Sequence, residues 1–200
     1  MYFRRRKISR TINTIMNNFT FDDLVKQEII DLSRKGLYDE DLEVIIKFLR
    51  DKDAAVQKLD LSGNNITLAH GKFTDALANN NTLEELWLHG NAIGREGAKC
   101  LAAALANNNN LKELYLSRNN IGDEGTKYLA RALTVNHTLQ RIYLDRNNIS
   151  DEGAKSIATA LLLNRGIRYM HLQYNMIGDQ GAEELVGALE HNNRITTLKL

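Results

Sequence analysis

Between Leu111 and Asn119 the apolar residues are Leu111, Leu114 and Leu116, and the last two alternate with Glu113, Tyr115 and Ser117. Alternation of period two over so short a stretch predicts a strand with one buried face. Farther along, Ala154, Ile157 and Leu161 recur at i, i+3 and i+7, the spacing of one helix face. A polar turn joins the two patterns, as in "LYLSRNNIGDEG" from Leu114. The string returns as "LWLHGNAIGREG" from Leu86, "IYLDRNNISDEG" from Ile142 and "MHLQYNMIGDQG" from Met170, always 28 residues on. Helical stretches such as "AKCLAAAL" and "TKYLARAL" follow. A constant period of this size marks units that bury their apolar faces only by stacking on one another.

Full units begin at Leu83, Leu111, Leu139 and Ile167, and "ITTLKL" from Ile195 opens a partial one. A unit from Val56 is one residue short, with the gap between Ile66 and Leu77. A degenerate unit starts at Gln27, with Ile30, Leu32 and Leu37 on the apolar positions and Lys35 in place of the Asn. The expected organisation is therefore an N-terminal flank and cap over residues 1–26, containing a short helix in "RTINTIMNNF", and one repeat domain over 27–200. Asn64, Asn91, Asn119, Asn147 and Asn175 end the strands, where stacked amides can satisfy backbone groups as a ladder. Gly122 or Ser150 with Asp123 or Asp151 is expected to form a helix N-terminus whose acid meets the dipole, and the glycines of "IGDEG" are expected in turns. A second column, Asn80, Asn108, Asn136, Asn164 and Asn192, is expected to close each helix at its C-terminal turn. Helices are about 10 Å wide and strands about 4.8 Å apart, so the stack must curve with its sheet inside. The predicted fold is an α/β horseshoe with a parallel sheet on the concave face and helices on the convex face.

The acids and amides after Asp145 invite comparison with a calcium loop. Counted from Asp145, however, Ile149, Ser150 and Ser156 occupy places that need an oxygen ligand, a glycine and a glutamate. No metal site is expected, since His89 and His171 are three repeats apart and the other histidines lack ligand spacing. Cys100 has no histidine nearby and reads as a free helix thiol. Glu84 and Glu85 are adjacent on a strand and do not converge on a substrate. The expectation is a protein without catalysis or cofactor. Charge is balanced, with Lys+Arg 26 against Asp+Glu 25, so no general affinity for nucleic acid or membrane is implied. A single Cys favours a reducing compartment, the cytoplasm. Residues 1–21 are basic without a continuous apolar core, which argues against a secretory signal; a mitochondrial transit peptide is the other reading of that stretch. The sequons at Asn65 and Asn148 are then expected to stay unmodified.

Candidate chemistry lies on the strands' outward positions. One column runs Asp31, Asp60, Trp87, Tyr115, Tyr143, His171, Lys199, and three residues later another runs Arg34, Gly63, Gly90, Arg118, Arg146, Tyr174. Arg141 and Tyr169 extend the patch two residues before the first column. Stacked rings can simply stiffen a sheet, yet Trp, Tyr and Arg dominate protein interfaces. The candidate partner-binding set is Trp87, Tyr115, Tyr143, His171, Arg118, Arg141, Arg146, Tyr169 and Tyr174. Asp31, Asp60, Glu85 and Glu113 should make the N-terminal side acidic, so the expected partner offers acids toward the arginines and an apolar protrusion to the rings.

With its units close to L-x-x-L-x-L-x-x-N-x-I-G-x-x-G, the chain resembles leucine-rich repeat proteins of the ribonuclease-inhibitor type over residues 27–200. Ribonuclease inhibitor itself is Cys-rich with alternating repeat lengths, whereas this chain has one Cys and a nearly uniform period, so a ribonuclease partner is not implied. The resemblance implies a protein–protein interaction scaffold that binds on the concave face. The alternative is a sensory or targeting segment of a larger protein, similar to the repeats of NOD-like receptors or of bacterial effectors acting in host cytosol. The partial unit Ile195–Leu200 brings no helix of its own, and an uncovered parallel edge there is expected to fray or to meet another copy.

Overall fold

The computed structural model describes residues 26–200; the expected cap helix lies outside the described residues. Each repeat contributes a strand of three residues: β1 Ile29–Asp31, β2 Lys58–Asp60, β3 Glu85–Trp87, β4 Glu113–Tyr115, β5 Arg141–Tyr143, β6 Tyr169–His171 and β7 Thr197–Lys199. They form one open sheet in chain order, and every adjacent pair is parallel. Behind the sheet lie a 3₁₀ turn at Asp39–Leu42 and six helices: α1 Glu43–Arg50, α2 Lys72–Ala78, α3 Gly94–Asn107, α4 Gly122–Leu133, α5 Asp151–Leu163 and α6 Asp179–His191. The wider helices line the outer side of the arc and the strands its inner side. Among the described residues no helix is long and apolar enough to cross a membrane.

Register explains the core. Leu86 pairs with Leu114, Leu114 with Ile142 and Ile142 with Met170, and all four are fully buried. Ala98, Leu101 and Leu105 on α3, and their counterparts Ala154, Ile157 and Leu161 on α5, close the same layer from the helix side. Each such large side chain contributes about 1.5–3 kcal/mol. In the short unit Leu68, ahead of α2, takes a left-handed φ of 58°, and the helix has only seven residues.

Both asparagine columns are ladders. Asn147 donates through Nδ2 to the Leu116 carbonyl of the preceding repeat at 2.9 Å, and its Oδ1 accepts from Asn119 N at 2.9 Å. Asn119 does the same one repeat earlier, donating to the carbonyls of Leu88 and Leu116, both at 2.9 Å. The second column closes helices as expected at Asn108, Asn164 and Asn192, the C-caps of α3, α5 and α6. Asn108 and Asn164 are extended there, with φ of −78° and −69°, and their side chains do a second job. Asn136, in the same column, donates to the Leu105 and Asn108 carbonyls of the preceding repeat, at 2.7 and 2.8 Å, while accepting from Leu139 N at 2.9 Å. It welds one helix end to the next.

The turn acids also act across repeats. Asp123 lies in the first turn of α4, but its carboxylate accepts from Ser150 N (2.7 Å), Ser150 Oγ (2.7 Å) and Gly153 N (3.0 Å), at the start of the following helix. Asp151 serves Gly178 N and Gly181 N in the same way. Where the preceding repeat has no acid at that place, the backbone changes. Arg95 stands there before Gly122, and Gly122 turns to φ 63° and donates to the Asn147 carbonyl. Ser150 and Gly178, which face acids, stay extended at φ −99° and −93°. The second glycine of "IGDEG" is not in a turn but inside the helix. A Cβ on Gly153 would sit 2.6 Å from Asp123 Oδ1, so this glycine keeps room for the neighbouring acid.

Candidate partner-binding surface

The parallel register places the outward column in a line across the inner face. Trp87 pairs with Tyr115, Tyr115 with Tyr143 and Tyr143 with His171. Their rings make one continuous run. Trp87 and Tyr115 are tilted at 5.0 Å, Tyr115 and Tyr143 stack at 4.3 Å with planes 7° apart, and His171 meets Tyr143 edge-on at 4.7 Å. All four are half-buried. The geometry falls in the attractive offset-stacked and edge-to-face range, so the row is ordered before anything binds.

Glu113 holds the middle of this row. Its carboxylate accepts from the Tyr115 hydroxyl at 2.7 Å and from the Arg141 guanidinium. Burial, followed by this hydrogen bond, pushes the Tyr115 phenol far above its usual range, so it remains a protonated donor. Arg141 also lies over the Tyr169 ring at 4.9 Å, and Glu113 raises its pKa further. His171 is shifted down, first by burial and then by Lys199, with Asp145 opposing; its ring therefore favours the neutral form.

The expected charge pattern changes at two of its four acids. Glu85 is paired with Lys58 at 2.8 Å, and Glu113 with Arg141. Asp31 and Asp60 accept from the backbone N–H groups of Ser33 and Ser62. Glu85 and Glu113 are thus neutralised by ion pairs, whereas Asp31 and Asp60 make none among the described residues, and the Arg141 fork is already occupied by a carboxylate. Arg118 and Arg146 are exposed and make no ion pair among the described residues, while Arg146 stacks over Tyr174 at 4.3 Å. The structure brings together Trp87, Tyr115, Tyr143, His171, Arg141 and Tyr169 on the inner face, and sets Arg118, Arg146 and Tyr174 apart on the rim where strands turn toward helices. Sequence reasoning missed Glu113 as the support of Tyr115 and Arg141, because the two-residue spacing on one strand face was not followed to its hydrogen bonds. It also missed Asn120 and Asn148, whose signal was the Asn-Asn doublet.

Cys100, half-buried on α3, is a free thiol whose pKa is raised by burial. Among the described residues no three His, Cys, Asp or Glu side chains gather in a way that would hold a metal ion.

The profile of the Leucine Rich repeat family matches residues 56–69, 79–102, 107–130, 135–158 and 164–186, more than half of the chain. No curated protein sequence matches it. Among solved structures, a chain described as leiomodin-1 Actin-Binding Site 2 (ABS2) is similar with a TM-score of 0.51 and 26% identity, over 54% of this chain and 63% of that one. The chain therefore spans less than two thirds of that relative. The tropomodulin C-terminal domain of Caenorhabditis elegans is similar in fold with a TM-score of 0.60 and 17% identity, over 76% of this chain and 92% of that one. By its profile match and by its stacked strand–helix units, the chain belongs to the leucine-rich repeat family.

Proposed function

We propose that this chain is a protein-binding scaffold, with residues 27–200 as the binding solenoid, residues 1–26 as its flank and cap, and the inner face as its site. The observation that carries this is the ordered row Trp87–Tyr115–Tyr143–His171, half-exposed along four adjacent strands. Rings already stacked on one another lose little entropy on contact, and such residues supply most hot spots. The remaining candidates, Arg118, Arg141, Arg146, Tyr169 and Tyr174, flank the row. Seven strands at about 4.8 Å span on the order of 30 Å, the width of a standard interface. The role is binding rather than catalysis, in the reducing cytoplasm that one free Cys favours. On the same reading the open β7 edge, Ile195–Leu200, meets a second copy.

Actin is the first partner to test, since the leiomodin-1 chain is described as an actin-binding site. The test places a photo-crosslinking residue at Tyr143 on the inner face or at Lys155 on the outer side of α5. The inner position is expected to capture the partner and the outer one not to; capture from Lys155 alone would overturn the assignment.

A further inference from the structure

Five residues in the strand-to-helix turns of three successive repeats have left-handed backbone although none is a glycine: Arg118 (φ 59°), Asn120 (53°), Arg146 (56°), Asn148 (57°) and Tyr174 (57°). At the position of Arg118, Arg146 and Tyr174, the two preceding repeats carry Gly63 and Gly90, both at φ 66°. Glycine enters this region freely, whereas arginine and tyrosine do so at a cost. The backbone alone would be better served by glycine at all of these turns. Conformations of this kind persist where something else depends on the side chain.

What the side chains do inside the molecule is little. Arg146 covers Tyr174 at 4.3 Å, an exposed cation–π contact of the weak kind. Three acids of these turns bond to other groups than the arginines: Asp123 to Ser150 and Gly153, Asp145 to the Ser117 hydroxyl at 2.6 Å, and Asp151 to Gly178 and Gly181. Arg118 and Arg146, one repeat apart, make no ion pair among the described residues, so their forks are open to a carboxylate from outside. Beside them Asn148 donates to Asn120 Oδ1 at 2.5 Å, and both amides remain exposed. Tyr174 and Met176 continue the line at 72% and 62% exposure, two of the most exposed large apolar residues of the described chain.

We infer that the rim formed by Arg118, Asn120, Arg146, Asn148, Tyr174 and Met176 docks an acidic segment of a partner protein, one that places an aromatic or aliphatic side chain next to its carboxylates. The forks match carboxylates in geometry and charge, the amides offer hydrogen bonds to the segment's backbone, and Tyr174 with Met176 takes the apolar residue. This rests on the protein-binding reading above and adds the partner's chemistry.

The probe is a fluorescent glutamate–tyrosine copolymer, with a lysine–tyrosine copolymer as control, read by anisotropy at low and high salt. The unchanged chain is expected to bind the acidic polymer alone, and less at high salt. In Arg118→Gly/Arg146→Gly the affinity should fall about tenfold, while the melting temperature stays level or rises by about 2–4 °C. Tyr115→Ala/Tyr143→Ala should keep most of the polymer binding. No binding by the unchanged chain, undiminished binding by the glycine variant, or a fall in its melting temperature each overturns the inference. If the glycine variant binds the polymer normally while the tyrosine variant loses its protein partner, the rim fails and the inner-face reading stands.

Discussion

At the residue scale the asparagines carry the clearest link from sequence to stability. Asn147 is fully buried, and its amide serves Leu116 O and Asn119 N of the neighbouring repeat. Asn147→Ala strands those groups and should cost about 1–3 kcal/mol, read from chemical denaturation; an unchanged midpoint would dissociate the ladder from stability. This column was legible because a single polar residue recurs at one place in an apolar period. The bonding of the second column was not, since the period gives a position but not the repeat toward which an amide reaches. His171 yields a prediction in pH. Its folded pKa lies below the ordinary 6.5, so as pH falls through about 6.5 the unfolded chain takes up the proton first. Stability held by the neutral ring is therefore lost from there downward, toward the lowered folded value. Lys199→Ala should move the ring's titration midpoint upward by NMR, and a fixed midpoint would leave burial as the whole cause.

At the scale of elements, the turn between strand and helix separates what sequence pattern conveys from what it does not. The acid of "IGDEG" was visible, and so was a helix start. Its service to the following helix was hidden, because a residue and its partner 27 to 30 positions on are adjacent only after stacking. The consequence is measurable. Asp123→Ala leaves Ser150 N and Gly153 N without their acceptor and should destabilise by about 1–3 kcal/mol. Arg95→Ala, at the same place one repeat earlier, should stay within about 0.5 kcal/mol, because Gly122 donates to a carbonyl instead. Equal losses in the two variants would refute acid capping between repeats.

At the scale of the whole molecule, the horseshoe followed from the period, since units of one length with one buried strand face have few other ways to stack. The aromatic row was equally legible, because register across parallel strands turns a column in the sequence into a line in space. The charge of the face was not. Lys58 with Glu85 and Arg141 with Glu113 come from neighbouring repeats, and their pairing takes two of the four acids out of the flank expected from the outward columns. What remains is an aromatic strip inside the arc, with the exposed Arg118 and Arg146 on the rim beside it. The central claim is that the inner strip binds a protein. The most direct measurement is the affinity of a partner purified with the unchanged chain, such as actin if it co-sediments, for Tyr115→Ala/Tyr143→Ala. With the fold verified by circular dichroism, the loss should be at least about 2 kcal/mol, roughly thirtyfold in Kd. An affinity equal to that of the unchanged chain would contradict the claim and move the search to the outer helices.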